Sequence, residues 1–366
     1  MKKYLCMIIL FKIYLSDNFE KANYSTINET LTQNYKYNKI YKKNVIIAVV
    51  ERYSLNTILP FFKSLISANF NNCDIVIFVR NVSQIIINYL KSIGVIVHEI
   101  PDKYKNVIII NLRWKLYKDF LKENLNKYKL VFHSDTRDCI FQSDLFKYYE
   151  SYESFLGISL EDGTLNQGIN KKWMIDYIGV EKHKKILNET IICVGTLWGT
   201  LDKFIEFCTI FWERLKESPN NVEQAIGNYI IYWDKLFDKY LIKSDNFGPI
   251  MTIGRTKKEN IILDEEDNIL NFRGDKASVI HQYDRKKDIQ LKIINKFCPE
   301  LLFFQDQLKK NNELKKRLFM NQIINMKKNH KNIIYFLYLV QIFIVIFCVK
   351  TAKYLKIKKI NSKLNI

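Results

Sequence analysis

The feature that most constrains this chain is an alternation that begins at residue 44, where short, wholly apolar runs are each followed by a stretch with apolar residues at helical spacing. The runs at 45–50, 75–79, 95–100 and 130–133 predict buried strands, and 57–68, 82–93 and 113–125 predict helices. Gly94 ends the second helix and Pro101 stops the third strand. Strands that alternate with helices of this length need crossover connections, so the expected architecture is a mostly parallel sheet covered by helices. In such sheets ligands sit beyond the carboxyl ends of the strands. With 48% hydrophobic residues the chain has ample material for a core, and disorder of the whole chain is excluded.

That rule singles out one acidic cluster. The fourth strand runs directly into Ser134-Asp135-Thr136-Arg137-Asp138, which places Asp135 and Asp138 just past the end of an inner strand. Two carboxylates there suit a divalent cation, and such a cation neutralises charge developing on a departing diphosphate. An Asp-rich turn capping the next element is the plain alternative for a lone D-x-x-D.

Charge and cysteines narrow the partners. The 57 Lys and Arg against 38 Asp and Glu give +19, but the lysines are scattered, with no RNP-like aromatics, finger spacing or helix-turn-helix, so nucleic acid is not expected. The seven cysteines form no CxxC pair, which argues against structural zinc, and most sit in apolar runs as small buried hydrophobes.

Both ends raise the question of a membrane. In residues 1–16, Lys2-Lys3 precedes a short apolar run, interrupted by Lys12 and without a small-residue cleavage site, so a secretory signal and an uncleaved hydrophobic segment both stay open. Residues 17–43 form a polar stem with two N-glycosylation triplets, at Asn23 and Asn28, that matter only if the chain is lumenal. Residues 291–331 read as a basic helical extension. The stretch 332–349 reads as a single transmembrane helix, whose apolar run 333–349 is interrupted by Gln341 and spans roughly 26 Å against a hydrocarbon core of about 30 Å. A basic tail follows at 350–366. Lysines flank the span on both sides, so its orientation stays undecided.

The longer string from His133 to Phe146, His-Ser-Asp-Thr-Arg-Asp-Cys-Ile-Phe-Gln-Ser-Asp-Leu-Phe, resembles the D-x-R-D-x-x-F-Q-x-D-x-F signature of glycosyltransferase-like proteins with a GT-A fold. Three further segments fit that resemblance in order. Residues 190–200, TIICVGTLWGT, look like a Gly-Thr-rich loop near the donor sugar, with Gly195 and Thr196 as donor contacts. Residues 221–229, NVEQAIGNY, look like a segment where an acidic residue followed by Gln opens a helix, with Glu223 where Asp is the expected residue. Residues 277–285, ASVIHQYDR, look like the segment whose histidine supplies a metal ligand.

The resemblance implies a Rossmann-like GT-A domain over 44–290. It further implies Mn²⁺ or Mg²⁺ held by Asp135, Asp138 and His281, and a sugar moved from a nucleotide-sugar donor to a glycan, lipid or protein acceptor, in an ER or Golgi membrane protein with a lumenal catalytic domain. Arg137 is read either as a phosphate contact or as a buried ion pair that fixes the loop, and Arg113 carries the same two readings. Glu161 and Asp162, in the stretch 159–164, are candidate acceptor contacts beside Glu223 on the catalytic side, and an ordinary solvated loop is the competing reading. A second class of function stays open as well, an inactive relative that uses the fold as a membrane-bound binding or scaffold module.

Overall fold

The computed structural model describes residues 44–217 and 222–302. The N-terminal segment and stem, the 332–349 span, the basic tail and most of the 291–331 extension lie outside the described residues. No helix among the described residues is long and apolar enough to cross a membrane.

The first half follows the alternation closely. Strand β1 (Asn44–Glu51), helix α1 (Leu55–Ser67), β2 (Cys73–Arg80), α2 (Gln84–Ser92), β3 (Ile96–Glu99), α3 (Ile109–Glu123) and β4 (Leu130–Ser134) succeed one another. Burial on both faces explains the unbroken apolar runs of β1, β2 and β4. Helix α3 begins four residues earlier than its apolar spacing suggested. Ile109, Arg113, Tyr117 and Leu121 then form an i, i+4 stripe that faces the core, which carries Arg113 inward with its apolar neighbours.

The second half is less regular. It contains β5 (Cys139–Phe141), β6 (Leu156–Thr164), α4 (Gly168–Ile178), α5 (Val180–Ile186), β7 (Thr190–Thr200), α6 (Leu201–Glu217) and α7 (Glu223–Tyr229). A single π-helical turn, Ile230–Asp234, extends α7. Strands β8 (Leu241–Ser244), β9 (Ile250–Thr252), β10 (Ile262–Leu263), β11 (Ile269–Leu270) and β12 (Val279–His281) and helix α8 (Lys287–Phe297) complete it. Two stretches read from sequence as loops, 159–164 and 190–200, are strand instead.

The main sheet has the order β3-β2-β1-β4-β7-β6-β9-β12-β5, with β8 added beside β6, while β10 and β11 form a separate pair. The first four strands are parallel, as are β6 with β8 and β9, and β9 with β12. Strands β7 and β5 run against their neighbours. The sheet is therefore mostly parallel with two reversed strands.

One irregularity positions the site. Along β6 and β7, Ile158 pairs with Leu197 but the next residue, Ser159, pairs with Cys193, so Val194, Gly195 and Thr196 form a bulge in β7. Side-chain amides from α7 satisfy the backbone on its N-terminal side. The Val194 N–H donates to Gln224 Oε1 at 3.2 Å, the Ile192 N–H donates to Asn228 Oδ1 at 2.9 Å, and Asn228 Nδ2 donates back to the Ile192 carbonyl at 3.0 Å. Behind the sheet, Trp114 stacks on Phe211 with ring centroids 4.3 Å apart and pins α3 to α6. A buried aromatic of this kind contributes about 1.5–3 kcal/mol through apolar burial. A smaller core under β9 and β12 gathers Met251, Ile280, Tyr283, Ile289 and Ile293.

Candidate active site

Asp135 follows the carboxyl end of β4 directly, and its N–H donates to the Gly195 carbonyl at 2.9 Å, so the bulge of β7 closes over the strand end. Thr136 Oγ1 donates to the Val49 carbonyl at 3.1 Å and anchors the turn to β1. Asp138 immediately precedes β5. In the antiparallel ladder of β5 with β12, Cys139 faces His281, and the Gln282 N–H donates to the Asp138 carbonyl at 2.7 Å. Strand register thus brings His281 to the two aspartates from 143 residues further along the chain than Asp138.

One ligand atom each from Asp135, Asp138 and His281 lies within 4.8 Å of the others. His281 is 1% exposed, and its Nε2 stands 3.6 Å from Asp135 Oδ2 and 3.5 Å from Asp138 Oδ1. Those separations exceed hydrogen-bonding range, so this buried nitrogen lacks a hydrogen-bond partner. Two carboxylates and an imidazole, converging with an unpartnered nitrogen between them, fit a hard or borderline divalent cation such as Mn²⁺ or Mg²⁺. Gly195 belongs to the same cluster, because a Cβ there would lie 2.5 Å from His281 Cε1 and 2.6 Å from Asp135 Oδ2. No other residue leaves that space.

Arg113 resolves to a buried ion pair. At 1% exposure it donates through one terminal nitrogen to Asp135 Oδ1 at 2.6 Å and through the other to Glu223 Oε1 at 2.7 Å. Asp135 is thereby divided, with Oδ1 on Arg113 and Oδ2 turned to His281. Glu223 accepts a further bond from Trp114 Nε1 at 3.2 Å. Arg137 keeps both of its readings. Its guanidinium is half exposed, 3.1 Å from Asp138 Oδ2 and 3.3 Å from Asp284 Oδ2.

The electrostatics follow from burial and crowding. Burial opposes charge on Asp135, but Arg113 and His281 outweigh it and hold the carboxyl well below the usual range. For Asp138 burial is likewise overcome, chiefly by His281, and its pKa falls. Burial also disfavours an imidazolium at His281, yet Cys193, Asp138 and Asp135 together raise its pKa well above the ordinary value. Glu223 goes the other way. Burial, with Asp135 adding and Arg113 opposing, pushes its carboxyl up to about 7. One guanidinium cannot fully neutralise two buried carboxylates, and the more enclosed of them takes the proton.

A cavity of about 210 Å³ opens against this cluster. Its polar wall is Arg113, Asp135, Arg137, Asp138 and Glu223, and its other wall is Val49, Glu51, Tyr53, Ile109 and Ile110. Of the residues singled out in sequence, Asp135, Asp138, His281, Gly195, Arg113, Arg137 and Glu223 come together here. Glu161 stands behind the cluster, where its Oε1 accepts from Gln282 Nε2 at 3.2 Å. Asp162 and Thr196 are engaged elsewhere. The Asp162 carboxylate accepts from Thr256 Oγ1 at 2.6 Å and from Asn246 Nδ2 at 3.2 Å, which ties β6 to the 246–256 segment. The Thr196 hydroxyl is fully buried against Ser159 Oγ between β7 and β6.

Sequence reasoning missed Tyr53, Cys193, Gln224, Gln282 and Asp284. Tyr53 was within reach, since it lies three residues past the end of the strand predicted at 45–50, on the same sheet edge as Asp135. The others matter through distant register, for which the sequence carries no local signal.

No protein-family profile and no curated protein matches the chain. Among solved structures the chain is similar to an active-site mutant of LgtC at 14% identity and a TM-score of 0.42, covering 65% of this chain and 86% of that one. It is similar to the galactosyltransferase LgtC in complex with donor and acceptor sugar analogs at 15% identity and 0.39, with coverage of 65% and 86%. The apo form of the glycosyltransferase GlyE of Streptococcus pneumoniae TIGR4 is similar at 16% identity and 0.41, covering 66% of this chain and 54% of that one. These likenesses are slight.

Proposed function

We propose that this chain is a divalent-metal-dependent glycosyltransferase of the GT-A type, with a nucleotide-sugar donor seated in the cavity beside Asp135, Asp138 and His281. The observation that carries the reading is the convergence of those three side chains, from two distant segments, around a buried imidazole nitrogen with no hydrogen-bond partner. A bound Mn²⁺ or Mg²⁺ would neutralise the diphosphate that leaves when the sugar is transferred.

The chain's own residues perform the remaining work. Arg113 holds Asp135 with one oxygen facing the cluster, and the half-exposed guanidinium of Arg137 offers a cation to a phosphate at the mouth of the cavity. Glu223 has both oxygens engaged, Oε1 by Arg113 and Oε2 by Trp114 Nε1, so it acts first as a partner of Arg113 and not as a general base. That engagement gives the second reading its support, a binding module in which donor and metal are held without transfer. A lumenal, membrane-tethered placement accompanies the proposal as an expectation from the sequence.

The test is calorimetric titration of UDP and GDP, with and without Mn²⁺, into the full chain and its Asp138→Ala variant. Metal-dependent binding that disappears in the variant supports a donor site, and subsequent turnover of a nucleotide sugar separates transferase from module. Absence of binding to the folded wild-type chain rejects the proposal.

A further inference from the structure

The imidazole of His281 is gripped on its second nitrogen by a residue that the metal reading leaves unused. His281 Nδ1 lies 3.3 Å from Cys193 Sγ, and both residues are buried. Cys193 sits on β7 immediately before the bulge, so the strand that makes room for the His281 ring at Gly195 also touches its far side. Gln282 Nε2 approaches the same sulfur at 3.7 Å while donating to Glu161 Oε1 at 3.2 Å. The amide nitrogen of Gln282 is thus turned toward both the Glu161 carboxyl and the sulfur. Sγ therefore accepts from one N–H donor, the Gln282 amide, and stands against Nδ1 of His281, where the direction of the contact follows the imidazole tautomer.

A neutral imidazole carries one proton, and a cation bound through Nε2 needs that proton on Nδ1. Were Nδ1 without an acceptor, the proton would favour Nε2, where the oxygens of Asp135 and Asp138 stand ready to receive it and a cation would be opposed. We infer that Cys193 is a positioning residue for the metal, with Sγ accepting the Nδ1–H of His281 and thereby keeping the Nε2 lone pair turned on Asp135 and Asp138. This rests on the reading of Asp135, Asp138 and His281 as a divalent-cation site. It goes beyond that reading by naming the partner of the imidazole's other nitrogen, a cysteine sulfur where a carboxylate or backbone carbonyl is the usual one.

The experiment is a Mn²⁺ titration followed by electron paramagnetic resonance of the free ion, on the full chain and on Cys193→Val and Cys193→Ser. Valine preserves volume but accepts nothing, and about 10–100-fold weaker binding is expected. Serine restores an acceptor and should bind close to wild type. Equal affinity of wild type and the valine variant overturns the inference, as does a serine variant as weak as valine. Absence of Mn²⁺ binding by the wild type rejects the metal site itself, a failure distinct from either of those. Should the valine variant not fold, ¹⁵N-histidine spectra of the Mg²⁺-loaded wild type decide alone. A His281 ring protonated at Nδ1 agrees with the inference, and one protonated at Nε2 overturns it.

Discussion

The two halves of the sheet solve different problems. The half from β3 to β4 is parallel and crossed by helices, and its inner strands β1, β2 and β4 are buried on both faces and carry nearly continuous apolar runs. The half from β7 to β5 mixes directions, carries a bulge, and borrows the amides of Gln224 and Asn228 to complete its backbone hydrogen bonds. The site lies at the seam. Asp135 is delivered by the regular half, whereas His281, Gly195 and Cys193 come from the irregular one. A regular scaffold can present carboxylates at a strand end, but closing a ligand cluster around them takes departures from regularity.

If the seam is where the halves are energetically joined, the largest effect should come from the residue that bridges it. Arg113→Met removes the cation between Asp135 and Glu223 and leaves the Asp135 carboxylate without its counter-charge beside a second buried carboxyl. A loss of about 3–5 kcal/mol is expected in urea denaturation at neutral pH. A loss below about 1 kcal/mol would mean that the two halves are held by apolar packing alone, and the comparison would break.

Glu223 sharpens the same point through pH. Its folded pKa of about 7 lies above its ordinary value of 4.5, so the folded state binds the proton more tightly than the unfolded one. The resulting stabilisation is fully present below pH 4.5 and is lost as pH rises through 7, amounting to about 3.5 kcal/mol at roughly 1.4 kcal/mol per unit. Glu223→Gln keeps the shape without the titration. The wild-type minus variant stability should therefore fall between pH 4.5 and 8, and a flat difference would show that Arg113 keeps Glu223 ionised throughout.

Much of the regular half was legible in the sequence because its determinants are local. Apolar runs mark β1, β2 and β4, Gly94 and Pro101 punctuate them, and the end of β4 points to Asp135 and Asp138 without any knowledge of contacts. The irregular half was not legible in the same way. Residues 190–200 read as a glycine-rich loop because Gly195, Thr196 and Gly199 imitate one, yet partners on β4 and β6 make them strand. Asp162 looked like a free carboxylate since nothing near it in sequence announces Thr256 and Asn246. Cys193 looked like one more buried hydrophobe because the imidazole it meets lies 88 residues away.

Gly195→Ala probes the irregular half directly. The added methyl meets His281 Cε1 at 2.5 Å and Asp135 Oδ2 at 2.6 Å, and neither is the loose end of a long side chain. Overpacking of this kind costs about 1–3 kcal/mol, and it should be accompanied by a marked loss of Mn²⁺ affinity in the titration followed by electron paramagnetic resonance. Loss of stability with metal binding intact would place the pressure on the strand and not on the cluster.

The smallest effect on stability is expected at Arg137, and it separates fold from function most cleanly. Its guanidinium is half exposed, so its pairs with Asp138 and Asp284 contribute less than about 1 kcal/mol. Arg137→Ala should therefore denature almost as the wild type does. If Arg137 meets a phosphate, the variant should still bind Mn²⁺ while UDP or GDP binds at least about tenfold more weakly, the loss of one charge-assisted contact worth roughly 1.5 kcal/mol. If it is only the clasp that holds the Asp138 loop to the segment after β12, nucleotide and metal affinities should fall together, because the clasp then acts through the position of Asp138. The ratio of the two losses, measured on one variant, decides between the two readings that the sequence left open.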